Sequence, residues 1–274
     1  MNSKSCTDRI LLFLVVSLVS VNVLAQGFGA GISPSKFELR AKPGGVLRDT
    51  ITIVNATPEN ADYKFSTVDW EMNDSQGPDF FEDQLLENSC RPWVRLEREM
   101  VHIRPAAQKK YRFEVHVPED AGPGLCKFAL LIQPAEPAMA SVGEGDQQIR
   151  FPVVGRYAAM VYVTIGDARA DMEFLGIGER LKGGLRLPTL MLSNSGNTLD
   201  RAFGQITATD ADGRRYTLIP QDFPVLPGRT EAVLLSPEQA RNREPVPIDF
   251  IYPLTLKGKF EIGGKSFRVD EVFN

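Results

Sequence analysis

The chain has 274 residues, with 43% hydrophobic and 24% charged side chains, a formal net charge of −4 and three cysteines. That length holds one or two globular domains, each able to bury its own core. A mildly acidic chain without long basic runs argues against nucleic acid as a partner.

Residues 1–25 read as a secretory signal peptide. Lys4 and Arg9 give a positive start, Ile10 to Val21 a short apolar run, and Val23-Leu24-Ala25 a small-residue cleavage site. The run is too short and wrongly flanked for a membrane span, and no later stretch is apolar enough for one. Lys4, Arg9 and Asp8 take a net +1 with them, which leaves the mature chain near −5. Cys6 departs as well. Cys90 and Cys126 remain, an even pair in an exporting, oxidising context. A disulfide is the expected state and two buried free thiols the alternative. No other Cys and no nearby His completes a metal site.

In chain order, GFGAG is a flexible lead-in; no strand precedes it and no helix follows, so it is no phosphate loop. ISPSKFELRA reads as a strand broken early by Pro34, as edge strands permit. KPGG is a turn. VLRDTITIVN alternates, with Val46, Thr50, Ile51 and Ile53 marking a half-buried strand. YKFSTVDWEM is a third strand. Asn73 to Ser89 is acidic but lacks the alternating ligand spacing of a calcium loop, so it reads as a solvated loop with room for one short helix. Strands resume at PWVRLE, KKYRFEVHVP and LCKFALLIQP, with VHIRPAAQKK as a turn-rich connection after the first. Counted as successive antiparallel runs, the strands near Trp93 and Leu125 start at the same end of a sandwich, which brings Cys90 and Cys126 together.

A loose segment, AEPAMASVGEGDQ, precedes QQIRFPVVGRYAAMVYVTI, the expected last strand of the first domain. Period-two alternation puts Ile149, Phe151 and Val153 on one face. Arg156 follows, then an apolar run from Tyr157 to Ile165. Alternation alone leaves open whether that face is exposed or lines the domain's own core. Asp167 to Ala170 is the joint, so the domains are 26–167 and 168–274. Beyond it come MEFLGIG, LRLPTLMLSN, FGQITATD, RRYTLIP, EAVLLS, PIDFIYPLTL, KGKFEIGG and KSFRVDEVF, separated by Ser195-Gly196-Asn197, Asp212-Gly213, Pro227-Gly228 and Gly263-Gly264. Short strands, almost no helical periodicity and frequent Gly and Pro make the chain all-β; the repeated rhythm makes it two β-sandwiches in tandem. DADG is a hairpin turn rather than a calcium site. The sequons at Asn55 and Asn73 matter only in a eukaryotic source.

His102 and His116 are the only histidines. Neither sits in a catalytic pattern, and no GxSxG, HExxH or P-loop occurs, so nothing points to an enzyme or a cofactor. An exposed alternating strand can template a partner's strand, backbone bonds giving affinity and alternate side chains filling pockets.

ISPSKFEL, the run WVRLEREMVHIRPAAQKKYRFEVHVPEDAGPGLCKFALLIQP and IRFPVVGRYAAMVYV resemble the periplasmic pilus chaperones of Gram-negative bacteria. The resemblance covers most of the mature chain, more loosely in the second domain. It implies two immunoglobulin-like domains in a boomerang, a periplasmic location, pilus or fimbrial subunits and an outer-membrane usher as partners, no small-molecule substrate, and a self-capping dimer as a possible free state. It further implies that Ile149, Phe151 and Val153 are donated to a subunit's unfinished sandwich, and that Lys36 and Arg156 hold the subunit's terminal carboxylate. The family commonly has Arg at the first of these positions and Lys at the second; the exchange keeps both charges but alters their geometry. Pro152 inside the donor strand is a further departure, because it lacks a ladder donor. Lys36 and Arg156 as ordinary surface charges remain the bland alternative, and a structural or adhesive envelope module the competing function.

Overall fold

The computed structural model describes residues 29–142, 149–238 and 250–274. The expected signal peptide lies outside them. Among the described residues the only helical element is a single 3-10 turn, Arg91–Trp93. The first domain carries β1 (Ala30–Ser33), β2 (Lys36–Ala41), β3 (Val46–Asn55), β4 (Ala61–Met72), β5 (Pro78–Phe81), β6 (Val94–Leu96), β7 (Met100–Ile103), β8 (Gln108–His116), β9 (Gly124–Pro134), β10 (Ala138–Val142), β11 (Ile149–Val153) and β12 (Tyr157–Ile165). One sheet has the order β1-β3-β8-β6. The facing sheet runs β2-β12-β9-β4-β5, with β7 also on β4.

The alternation in β3 and β8 does what period two requires. Ile51, Ile53, Tyr111, Phe113 and Val115 point inward and meet Phe128, Leu130 and Ile132 of β9 in one core. Phe37 and Phe128 pack edge-on against Phe113. Cys90 and Cys126 form a disulfide with a Cα–Cα distance of 5.5 Å.

Several segments of the first domain differ from the sequence reading, among them the loose segment before residue 147, which contains β10. ISPSKFELRA is two strands, starting at Ala30 in what was expected to be lead-in: β1 pairs with β3 in one sheet, and after Pro34 the chain crosses to pair β2 parallel with β12 in the other. Met100–Ile103, expected to belong to a connection, is β7 and pairs with the start of β4. Residues 73–89 are not simply a solvated loop. Asn73 Oδ1 accepts the N–H groups of Ser75 and Gly77, and the resulting tight turn leads into β5. Residues 147–165 are not one strand: β11 ends at Val153, and β12 starts at Tyr157.

The second domain carries β13 (Met172–Lys182), β14 (Leu185–Asn194), β15 (Asp200–Arg201), β16 (Phe203–Thr209), β17 (Arg215–Pro220), β18 (Pro224–Val225), β19 (Thr230–Pro237), β20 (Leu254–Ile262) and β21 (Lys265–Phe273). β19 pairs with β14 through its first half and with β17 through its second. One seven-stranded ribbon, β13-β14-β19-β17-β16-β20-β21, is thereby folded into two layers over a common core of Leu190, Leu192, Ile206, Leu256 and Phe260. Leu254 to Ile262 runs unbroken where two strands were expected. Gly263 and Gly264, both at positive φ, form the two-residue hairpin to β21.

The domains meet over the outer face of the β2-β12-β9-β4-β5 sheet. Val68, Trp70, Ala129, Leu131 and Tyr162 cluster there with Leu226 of the second domain. β9 is therefore buried on both faces, which is why LCKFALLIQP reads as a continuous apolar run. The β4–β5 turn also crosses the junction: Gln76 Nε2 donates to Glu231 Oε2 at 3.0 Å and to the Ala232 carbonyl at 3.2 Å.

Candidate functional site

β10 and β11 form a two-stranded ribbon that extends beyond the β9–β12 hairpin. Its register places Ala140 opposite Phe151 and Met139 opposite Pro152. Among the described residues β11 pairs with β10 alone, so its second edge meets no described strand. Ile149, Phe151 and Val153 are 70%, 40% and 43% exposed and belong to neither core. Met139 and Val154 beside them are also exposed. Backbone N–H groups alternate sides along a strand, so Pro152 removes a donor from one edge only.

Arg156 follows this ribbon directly. Its Nη1 donates to Glu82 Oε1, and both side chains are about half exposed. Glu82 lies in a loop held by Arg91, whose guanidinium donates to the carbonyls of Phe81, Glu82 and Gln84 at 2.9–3.3 Å.

Lys36 stands opposite Met160 in the parallel β2–β12 register. Arg156 lies four residues before Met160, about 13 Å along the strand at ~3.3 Å per residue. Lys36 pairs with Asp222 of the second domain. The two cations thus meet different carboxylates and share none.

The cation that shares a partner with Lys36 is Arg201, which carries no motif and was missed. Its Nε donates to Glu38 Oε1 at 2.6 Å, and its Nη1 lies 3.1 Å from Asp222 Oδ1. The guanidinium also lies 5.8 Å from the centre of the Tyr162 ring. Burial pushes the Tyr162 hydroxyl up to about 12, with Arg201 opposing the shift. Glu38, Arg201 and Asp222, together with Asp200, border a cleft of about 470 Å³ whose wall includes Phe203 and Ile219.

This cluster yields a pH prediction. The hydrogen bond from Lys36 holds the Asp222 carboxyl below its ordinary 3.8, burial opposing and Arg201 assisting. Its contribution is therefore full above 3.8 and is lost as pH falls through the lower folded value. Arg201→Ala is expected to cost about 1–2 kcal/mol, at the low end because Asp222 stays mostly in water. Urea denaturation at pH 6 and pH 3 checks both points: Asp222→Asn should narrow the gap between the two midpoints, and Arg201→Ala should lower the pH 6 midpoint.

His102 pairs with Asp62 at 2.9 Å and His116 with Glu114 at 2.8 Å, all on the surface. Among the described residues no group of three or more His, Cys, Asp or Glu could hold a metal ion.

No family model matches the chain, and no curated protein matches it in sequence. Solved structures do resemble it. The class 5 fimbriae chaperone CfaA is 11% identical over 84% of this chain and 98% of its own, with a TM-score of 0.43. The chaperone YadV is 7% identical over 89% and 99%, with a TM-score of 0.44. The CsuC–CsuE chaperone–tip adhesion subunit complex from archaic chaperone-usher Csu pili of Acinetobacter baumannii gives 10% identity, 88% and 97% coverage, and a TM-score of 0.41. These are likenesses of arrangement only.

Proposed function

We propose that this chain is a periplasmic chaperone that caps fimbrial subunits and passes them to an outer-membrane usher. The observation that carries the reading is β11: a strand with an edge that pairs with no described strand and three alternating exposed apolar side chains, held outside both sandwiches. An edge of that kind supplies backbone donors and acceptors along one side and knobs at period two, which is what strand addition to an incomplete sandwich needs. In the free protein the same edge is available to a second copy.

Arg156, at the foot of the ribbon, is the proposed receiver of the subunit's terminal carboxylate. Its bond to Glu82 is half in water, and such a pair is worth only ~0–1 kcal/mol, so an incoming carboxylate displaces Glu82 at little cost. Lys36 joins as a second anchor by giving up Asp222, which is exposed in the same way.

The test is co-expression in the periplasm with fimbrial subunits from the same genome, followed by affinity capture. The wild-type chain should retain a subunit. Arg156→Ala should retain about tenfold less, the loss of one charge-assisted contact worth roughly 1.5 kcal/mol, with an unchanged melting midpoint. Normal capture by both Arg156→Ala and Lys36→Ala would remove the anchor assignment. Absence of any small β-rich partner would favour an envelope module without a client.

A further inference from the structure

A second site lies at the domain junction, away from the ribbon and independent of it. Lys127 of β9 sits on the outer face of its sheet, in line with Leu125, Ala129 and Leu131. Ala129 and Leu131 seal the junction with apolar contacts. Lys127 carries an ammonium into the same layer and is only 4% exposed. A lysine is rarely so buried unless its charge is used.

Two of its three N–H donors are engaged. Nζ donates to the Trp70 carbonyl at 2.6 Å and to Asn88 Oδ1 at 3.2 Å, and lies 5.0 Å from the centre of the Trp70 ring. Among the described residues no acceptor takes the third. The Trp70 indole Nε1 is also buried and without an acceptor there. Carboxylates of Glu71 and Asp69 lie within electrostatic range of Lys127, yet neither is hydrogen-bonded to it, and burial still lowers its pKa.

Lys127 lines a pocket of about 400 Å³ between the domains, within the size range of small-molecule sites. Its walls are mainly Met72, Leu125, Leu226 and Pro227, with Arg229 and Glu71 as the other charged residues. Arg229 is already bonded to Glu231 at 3.2 Å. That leaves one buried positive charge seeking a partner, inside apolar walls, with an opposing carboxylate nearby. Such a balance suits a single negative charge and disfavours a polyanion.

We infer that the interdomain pocket at Lys127 binds a small monocarboxylate with an apolar body. The carboxylate takes the free N–H of Lys127, and the apolar body replaces water against Leu226 and Met72. The same chemistry is offered by a free short-chain acid and by the C-terminus of an apolar peptide.

The experiment uses the full mature chain with its lysines isotopically labelled at Cε and Nζ. Hexanoate, hexanol, and an acetylated Ala-Val-Leu peptide as acid and as amide are titrated separately. Hexanoate or the peptide acid should bind at ~1 mM or tighter and shift the Lys127 signal. Hexanol and the amide should not. Lys127→Met, which replaces the charge by an apolar chain of similar length, should weaken acid binding at least tenfold. Arg229, though bonded to Glu231, still places a positive charge in the pocket wall, so Arg229→Gln should weaken acid binding severalfold without affecting hexanol; it serves if Lys127→Met fails to fold. Binding of hexanoate identifies a free acid as the ligand source; binding of the peptide acid alone identifies a chain terminus. Failure of both acids to move the Lys127 signal, or equal binding by the substituted chains, overturns the inference.

Discussion

Phe151→Asp is expected to eliminate capture of a fimbrial subunit, lowering affinity at least 100-fold, while the melting midpoint moves by no more than about 2 °C. The two halves rest on different physics. Burying one large apolar side chain in a partner contributes about 1.5–3 kcal/mol, and putting an unpaired carboxylate in its place adds a desolvation cost. Together these exceed the ~2.7 kcal/mol that a 100-fold change requires. Stability is spared because Phe151 is 40% exposed, lies on a ribbon outside both sheets and belongs to neither core. Had the strand packed against its own domain, the same change would cost several kcal/mol and lower the midpoint sharply. Affinity and midpoint measured on one variant separate these outcomes. A large loss of stability removes the donor-strand reading and leaves the fold standing.

Loss of the Cys90–Cys126 bridge should lower the stability of the first domain by several kcal/mol. The sequence separation is 36 residues. The loop-entropy model gives about 4 kcal/mol for a loop of that size, within a usual range of roughly 2–5. At ~2–4 °C per kcal/mol the midpoint should fall by on the order of 10 °C. The loss is not confined to the unfolded state. Just before Cys90, the Asn88 carbonyl accepts the Lys127 N–H at 2.9 Å, and Ser89 bridges to Lys127 in parallel. The bridge therefore staples the 82–90 loop to β9, the strand whose Lys127 lines the interdomain pocket. Urea denaturation of the wild-type chain and the Cys90→Ala/Cys126→Ala double variant measures the effect. A difference under about 1 kcal/mol contradicts it.

Much of the fold is legible in the sequence because it follows from local periodicity. VLRDTITIVN coincides with β3, Val46–Asn55, since every second residue must face the core. The pairing of Cys90 with Cys126 follows from counting strand directions. What escaped is non-local. β7 is four residues long and is followed at once by Arg104-Pro105, so its local signal is that of a turn. Pro34 marks a break, but the passage from one sheet to the other depends on which strands wait on each side. Arg201 lies 163 positions from its partner Glu38 and sits in LDRAF, where no pattern sets it apart. Lys127 is hidden in an apolar run; alternation puts it on the outer face of the sheet, and only the second domain's position turns that face into an interior. The predicted site residues divide the same way. Ile149, Phe151 and Val153 share a face because of their spacing. Lys36 and Arg156 were paired by resemblance, and their separation comes from a register that no spacing records.

In the proposed function β11 becomes a strand of another protein's sheet. Hydrogen exchange of the backbone amides across residues 149–153, with and without bound subunit, tests it most directly. Free, the amides on the unpaired edge should exchange at rates set by solvent. Bound, they should slow by at least 100-fold, because they donate to the subunit's backbone; Pro152 has no amide to report. If a subunit is bound and those amides exchange as they do in the free chain, the strand is not donated and capture uses another surface.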